Sequence, residues 1–529
     1  MSRSTVGTVL FGACTLAVAA GALAVRTARL DLRPMHADEA NQAVKFGDLL
    51  ERGEYRFDPR DHHGPTLYYM TLPAAWAARE TTLAGLDERV LRLVPALAGV
   101  GLLLALLLLA GGLSREATLA AAALAAISPA LTYYSRFYIQ ESLLVLFLAL
   151  LVGAGWRYAR KRSLPWALAA GAAAGLMVAT KETSLILFGT LAGAFAALSL
   201  LESLRTRHRG VITAGEAWVW RDSRTKLPTA FHFLAAVAAA AVVIVVLYTS
   251  FFHNPQGLGD LLKAIGTSVA RAGHPGIHAH PWYYYVQTLT YSKAAGGPVW
   301  SEAFLLFLAL AGGIAALGHD AGRDGNPIFL RFILFFTVLT AAVYSLIPYK
   351  TPWNLLPFEL GLVILAGNGA ALLLRISRLK LVKALILILL VPGFLDLARQ
   401  DYRANFERPA DPANPYVYAQ TSPDLLKLVA AVDKAASISP RKRDLLVEVV
   451  APAEETWPLP WYFRRLGQVG YWTSFEAAEE DVPPGRADVV VASSSFAERV
   501  AARLGEGYEQ TFYGLRPEVV LALFVRRGP

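Results

Sequence analysis

The chain has 529 residues, 55% hydrophobic and only 17% charged, with a mean hydropathy of +0.41. This excludes an ordinary soluble globule and describes a polytopic membrane protein carrying some soluble mass. The net charge of +9 is no nucleic-acid signal, because the basic residues gather in short loops between apolar runs, where they set topology and meet anionic headgroups.

The single cysteine, Cys14, excludes an intramolecular disulfide and argues against cysteine-based metal or redox chemistry. It lies in an apolar run over 6–25 that follows Arg3 and contains an Ala-x-Ala pattern at 17–19. That run imitates a secretory signal but exceeds the roughly 7–15 residues of a signal's apolar core. It is taken as a retained first membrane helix.

Windows long enough to span a bilayer fall at about 6–27, 90–112, 116–134, 138–159, 164–181, 184–203, 229–250, 299–318, 327–347, 353–374 and 380–397. About eleven transmembrane helices are expected, with the softest boundaries at Ser135 and Lys181. The expected domains are a membrane part over 1–397 and a soluble part over 398–529. Basic residues concentrate at Arg157/Arg160/Lys161/Arg162, from Arg205 to Lys226, and at Arg375/Arg378/Lys380. The positive-inside rule then puts the amino terminus in the cytoplasm of a plasma-membrane protein. A first loop (28–89), a long loop (251–298) and the tail fall outside.

In the first outside loop, Ala40, Ala43, Val44, Gly47 and Leu50 recur at helical spacing, predicting a surface helix over 38–51 that stops at Gly53. A second amphipathic helix is expected over 64–78, opened by Gly64-Pro65. Charge and proline rise after 398. Strands at 445–450 and 487–492, a helix at 424–436 and a final pair at 509–513 and 519–525 make a small α/β domain. No internal repeat or low-complexity segment is present.

Four polar clusters stand at the outer ends of the apolar windows. The first holds His36, Asp38, Glu39, Asp58, Arg60, Asp61, His62 and His63. Asp38 and Glu39 diverge by about 100° on a helix, so one carboxylate can face a site as general base while the other caps the helix or holds a basic partner; the alternative is that Asp38 is simply the N-cap. His36, Asp38, Asp61, His62 and His63 also suit a divalent cation such as Mg, Mn or Zn. The second cluster runs Tyr133-Tyr134-Ser135-Arg136-Phe137-Tyr138 to Glu141. Arg136 is either a bidentate phosphate clamp or an interfacial partner of Glu141. The third, Lys181-Glu182, is costly in an apolar setting unless it lines a cavity. The fourth, Tyr349-Lys350-Thr351-Pro352-Trp353, meets an anionic headgroup or anchors a turn. His274, His278 and His280 form a weaker metal candidate. The aromatic run 282–285, with Tyr68, Tyr138, Tyr349 and Trp353, suits either an interfacial belt or a sugar-lining surface. Trp457 to Arg465 is expected to dock the soluble part onto the membrane part.

In this order and sidedness the motifs resemble the GT-C superfamily of polyprenyl-phosphate-sugar-dependent glycosyltransferases. That superfamily includes protein O-mannosyltransferases, oligosaccharyltransferases and lipid A aminoarabinose transferases. The resemblance rests on Asp38-Glu39 after the first helix, on Ser128-Pro129 through Ser135-Arg136-Phe137 to Glu141, and on Gly175 through Ala179-Thr180-Lys181-Glu182. The combination of His36-Ala37-Asp38-Glu39, Asp61-His62-His63-Gly64-Pro65 and Tyr349-Lys350-Thr351-Pro352-Trp353 is similar to a prokaryotic subfamily associated with lipid-linked-sugar flipping in archaeal N-glycosylation.

The resemblance covers roughly 1–400. It implies a polytopic α-helical fold and a lipid-phosphate sugar donor. It also implies inverting transfer, on the outer face, to a glycan, lipid or protein acceptor. Asp38 is then the base and Glu39, Glu141, Asp61 and Glu182 supporting acids. Arg60, Arg136, Lys181 and Lys350 neutralise the departing phosphate. A flippase for lipid-linked glycans is the competing expectation, although transporters place ionisable groups near the bilayer midplane and here they gather at one face. A scaffold with a partner-binding tail does not explain that recurrence.

Overall fold

The computed structural model describes residues 3–59, 63–209, 226–273, 276–318, 325–377, 379–481, 483 and 485–527. Its first helices are α1 (Arg3–Thr27), α2 (Ala37–Arg52), α3 (Thr66–Ala77), α4 (Glu88–Ala105), α5 (Arg115–Ile127), α6 (Pro129–Ser135), α7 (Glu141–Lys161) and α8 (Leu164–Val178). Then come α9 (Ser184–Arg209), α10 (Lys226–Tyr248), α11 (Gly257–Gly273), α12 (Tyr284–Thr290), α13 (Ala303–Leu317), α14 (Pro327–Leu346), α15 (Leu356–Arg375) and α16 (Lys380–Tyr402). The tail adds α17 (Leu425–Ile438), β1 (Leu446–Val450), α18 (Ala453–Thr456), α19 (Leu459–Tyr462), β2 (Gln468–Trp472) and α20 (Phe475–Asp481). It closes with β3 (Val489–Ser493), α21 (Ala497–Leu504), β4 (Tyr508–Arg516) and β5 (Val519–Arg526).

Among the described residues, 8 helices are long and apolar enough to cross a membrane. The pair α5–α6, bent by 61° at the Ser128 break, brings the number to 9 if counted as one span. Proline at the first position of α6 supports this break, since it cannot continue the ladder of α5. The windows at 164–181 and 299–318 hold α8 and α13, apolar helices of 15 residues each. Each expected window thus carries an apolar helix, and these two stop short of a full crossing length.

The chain forms two compact units that interleave along the sequence. One comprises 1–28, 55–70 and 92–407; the other comprises 29–54, 71–91 and 408–529. In the first, α15 is the most enclosed span, 89% buried, whereas the span Thr229–Tyr248 buries none of its window. Small residues let backbones approach α15 closely, as membrane helix packing requires. A Cβ on Gly369 would stand 2.0 Å from the Leu308 carbonyl oxygen, and one on Gly312 1.9 Å from that of Leu365.

In the second unit a five-stranded sheet runs β2-β1-β3-β5-β4. β1 is parallel to β2 and β3, and β5 is antiparallel to β3 and β4. Alternation divides the strands between two cores. Val447, Val449, Val489, Val491, Leu521 and Leu523 pack with Leu425, Leu428 and Val432 of α17. Val450, Val490, Ala492, Ala522 and Phe524 pack with Phe475 and Val500 on the opposite face. A sheet covered on both sides reads as continuous apolar runs, which is why β1, β3 and β5 are legible in the sequence. Edge strand β2 carries a glycine and no such run.

The packing at Gly369 yields a test. Gly369→Ala is expected to destabilise the purified protein by about 1–3 kcal/mol through overpacking. Gly12→Ala in α1, where a Cβ meets nothing within 4 Å, is expected to leave thermal unfolding in detergent unchanged or slightly raised.

Candidate active site

The acidic pair of the first loop resolves into two roles. His36 is the N-cap of α2, its Nδ1 accepting from the Asp38 backbone N–H at 3.0 Å. Glu39 reaches back to accept from the His36 backbone N–H at 3.0 Å, which completes a capping box. Glu39 is fully buried and also lies 3.6 Å from Arg33. The Asp38 side chain is 51% exposed and lies 3.7 Å from the His36 ring. Glu39 is thereby committed to structure, and Asp38 is the carboxylate open to a ligand.

A second polar group is built where residues 63–66 lie against the end of α8. The Gly64 backbone N–H donates to the Thr180 carbonyl at 3.1 Å, and Thr66 donates to that of Ala179 from both N–H (3.1 Å) and Oγ1 (2.6 Å). A side chain at 64 is impossible in this arrangement, since its Cβ would fall 2.2 Å from the Ala179 oxygen. The contact brings His63 Nδ1 to 2.9 Å from Glu182 Oε2. Burial pushes the Glu182 pKa up, but the His63 ring outweighs it and leaves the carboxyl below its ordinary value.

Beside it the Lys181 ammonium forms a buried ion pair with Glu141. Burial lowers the Lys181 pKa, and the adjacent Glu141 carboxylate more than reverses this, holding the ammonium above the usual lysine range; Tyr349 also lies within electrostatic reach. Glu141 Oε2 and Glu182 Oε1 are both buried and accept no hydrogen bond among the described residues. Most buried polar atoms are satisfied, so these two oxygens are open acceptors.

Lys350 sits in a turn pinned to the segment after α11. Its backbone N–H donates to the His278 carbonyl at 3.0 Å, and the His280 N–H donates to that of Pro348 at 3.3 Å. The Nζ donates to the carbonyls of Ile347 (2.6 Å) and His280 (3.0 Å). This side chain is 1% exposed, yet it has no carboxylate partner among the described residues. Burial accordingly lowers its pKa, with no opposing anion to raise it.

Arg136 is spent differently. It donates to the carbonyls of Val25 (2.6 Å) and Arg26 (3.1 Å) and lies 4.6 Å above the Phe406 ring, tying the end of α1 to the α6–α7 junction. Of the aromatic candidates, Tyr68 and Tyr138 are fully buried. Tyr68 packs 4.7 Å from Tyr55, and Trp353 lies 6.0 Å from Tyr134. Tyr349 is half-buried, its ring 4.5 Å from that of His278 and tilted 42° to it. Glu302 and Glu359 were not anticipated from the sequence. Both are fully buried, and the Ser128 hydroxyl lies 3.0 Å from Glu302 and 3.3 Å from Glu359, its single hydrogen serving one of them at a time. Glu302 also accepts from the Ala130 N–H at 3.2 Å, closing the bend between α5 and α6. The available signal was an isolated acid in each of two apolar windows.

Arg60, Asp61, His62 and His274 lie outside the described residues. Among the described residues no three His, Cys, Asp or Glu side chains are placed to hold a metal ion. His36 uses Nδ1 at the cap and sets Nε2 2.9 Å from the Tyr418 carbonyl, which leaves that ring no lone pair for a cation. The Trp457–Arg465 segment packs within its own unit. Trp461 Nε1 donates to Glu88 at 2.8 Å, Arg464 to the carbonyls of Leu83 and Leu86, and Arg465 to that of Ala84.

Comparison with known proteins agrees with this architecture. Residues 71–215, which contain Arg136, Glu141, Lys181 and Glu182, match the family model described as dolichyl-phosphate-mannose-protein mannosyltransferase. ArnT from Cupriavidus metallidurans in the apo state superposes with a TM-score of 0.61 at 15% identity, covering 99% of this chain and 98% of that one. The same ArnT bound to undecaprenyl phosphate gives 0.59 at 15% identity, covering 98% of each chain. The archaeal oligosaccharyltransferase AglB from Archaeoglobus fulgidus, in complex with an inhibitory peptide and a dolichol-phosphate, gives 0.56 at 14% identity over 95% of this chain and 73% of that one. No curated protein matches the chain by sequence. The fold is that of ArnT and AglB, in keeping with the resemblance carried by the sequence motifs.

The division of labour between the two acids is measurable by thermal unfolding. Glu39→Ala removes a capping bond and an ion-pair partner of Arg33 and is expected to cost about 1–2 kcal/mol. Asp38→Asn, at a half-exposed side chain, is expected to stay within about 0.5 kcal/mol of the parent.

Proposed function

We propose that this chain is an integral membrane glycosyltransferase that moves a sugar from a polyprenyl-phosphate donor to a glycan, lipid or protein acceptor on the outer face of the plasma membrane. The observation that carries the reading is Lys350, a buried ammonium with no carboxylate partner among the described residues, at the end of apolar helices in a chain that follows the ArnT fold throughout its length. A cation held this way is suited to a lipid phosphate, because an anion arriving there meets a charge that no carboxylate among the described residues neutralises. The polyprenyl phosphates bound by ArnT and AglB support the donor class.

In the reaction proposed, the acceptor hydroxyl or amide gives its proton to the Asp38 carboxylate as its heteroatom bonds to the anomeric carbon. The bond from that carbon to the phosphate oxygen breaks, its electron pair leaves with the polyprenyl phosphate, and the anomeric centre inverts. Lys350 stabilises the charge gathering on the phosphate. Lys181, already paired with Glu141, serves a second phosphate oxygen or fixes Glu141. Glu141 Oε2 and Glu182 Oε1 accept from sugar hydroxyls. Arg136 holds the α6–α7 junction beneath them. Phosphate is a good leaving group, so no general acid is required.

Purified protein is expected to transfer radiolabelled sugar from a polyprenyl-phosphate donor to membrane acceptors, and Asp38→Asn to lower the rate by about 100-fold or more while keeping its thermal stability. Equal turnover in both proteins removes Asp38 as the base. Absence of transfer with any donor, together with movement of lipid-linked glycan across liposomes, favours the flippase.

A further inference from the structure

The second unit contains a cleft of about 1150 Å³ that the transfer chemistry does not use. It exceeds the roughly 300–1,000 Å³ of clefts that hold single drug-sized ligands, so it has room for an extended one. One face of α17, the turn at 440–444, residues 462–466 and the pair Asp87–Glu88 form its walls.

The turn is held firmly. The N–H groups of Lys442, Asp444 and Leu445 donate to the carbonyls of Ser439, Arg441 and Lys442, and the Gly467 N–H donates to that of Arg443 at 2.7 Å. Lys442 adopts φ of 49°, the left-handed region that costs a side-chain-bearing residue energy. The strained turn presents three successive cations. The Lys442 and Arg443 side chains have no hydrogen-bond or ion-pair partner among the described residues. Arg441 uses one terminal nitrogen on Asp488 at 3.2 Å, and Arg465 uses only Nε. Opposite them, Arg464 is locked over the Trp461 ring at 3.6 Å and by three backbone carbonyls.

Carboxylates are set among these cations. Glu88 is engaged by Trp461, but Asp433 and Asp444 line the cleft with exposed side chains. Interleaved acids disfavour an anionic bilayer, which is attracted by uninterrupted basic patches. They suit sugar hydroxyls, which donate to carboxylates, while guanidinium groups take acidic substituents in bidentate fashion. We infer that this cleft binds an anionic oligosaccharide, a glycan of several rings bearing uronate or phosphate groups.

Binding is read without any transfer step, so it stands or falls separately from the glycosyltransferase reading. The full-length protein in nanodiscs of neutral lipid would be titrated by calorimetry with a short oligogalacturonate and with a malto-oligosaccharide of equal length. The acidic chain is expected to bind, the neutral one at least about tenfold more weakly. Lys442→Glu/Arg443→Glu is expected to weaken the acidic chain about tenfold or more, as loss of charge-assisted hydrogen bonds implies, with an unchanged melting temperature. A carbohydrate-array screen covers acidic glycans of other linkage. Equal affinity for acidic and neutral chains, no acidic glycan bound in either assay, or capture only by phosphatidylglycerol vesicles would each overturn the inference.

Discussion

A charge carried to the end of an apolar helix must be paired, or it must be kept for something else. Most of the polar chemistry at these helix ends follows from that constraint. Lys181 has Glu141, Glu182 has His63, and Arg136 rests on the last carbonyls of α1. Glu302 spends its carboxylate on Ser128 and on the Ala130 N–H of α6. These pairings fix where the helices bend and stop. Lys350 is a buried cation whose ammonium donates to the carbonyls of Ile347 and His280 and, among the described residues, meets no carboxylate. It organises the functional reading for that reason.

The same economy explains the first loop. A helix start needs acceptors for its free N–H groups, and His36 and Glu39 supply them reciprocally. Asp38, between them in sequence, is released from that duty. Adjacent acids that look equivalent in a string of letters are separated by about 100° of helical rotation into a structural carboxylate and an available one.

Much of this was legible beforehand. Apolar windows located the membrane helices, because a bilayer leaves few alternatives to a helix. The α2 helix, its Gly53 stop and the strands β1, β3, β4 and β5 follow from periodicity and turn chemistry. The motifs Gly64-Pro65-Thr66 and Ala179-Thr180-Lys181-Glu182 were visible separately. Their contact was not, since it depends on a glycine whose missing Cβ permits an approach between residues more than a hundred positions apart. The Lys181–Glu141 pair was hidden for the same reason, and so was the commitment of Arg136 to backbone carbonyls. Glu302 and Glu359 escaped notice because each stands alone in an apolar window, and only the fold brings them to Ser128. The Trp457–Arg465 segment reads as a docking element, and Trp461, Arg464 and Arg465 within it bond residues 83–88 of its own unit.

The claim at the centre of this account is that Lys350 is reserved for a lipid phosphate. The direct measurement is the affinity of purified protein for polyprenyl phosphate, compared with Lys350→Met, which keeps an unbranched side chain one atom shorter and removes the charge. An affinity lowered about tenfold or more in a variant of normal thermal stability is the predicted result. Equal affinity in the two proteins would contradict the account and return Lys350 to the role of a turn anchor.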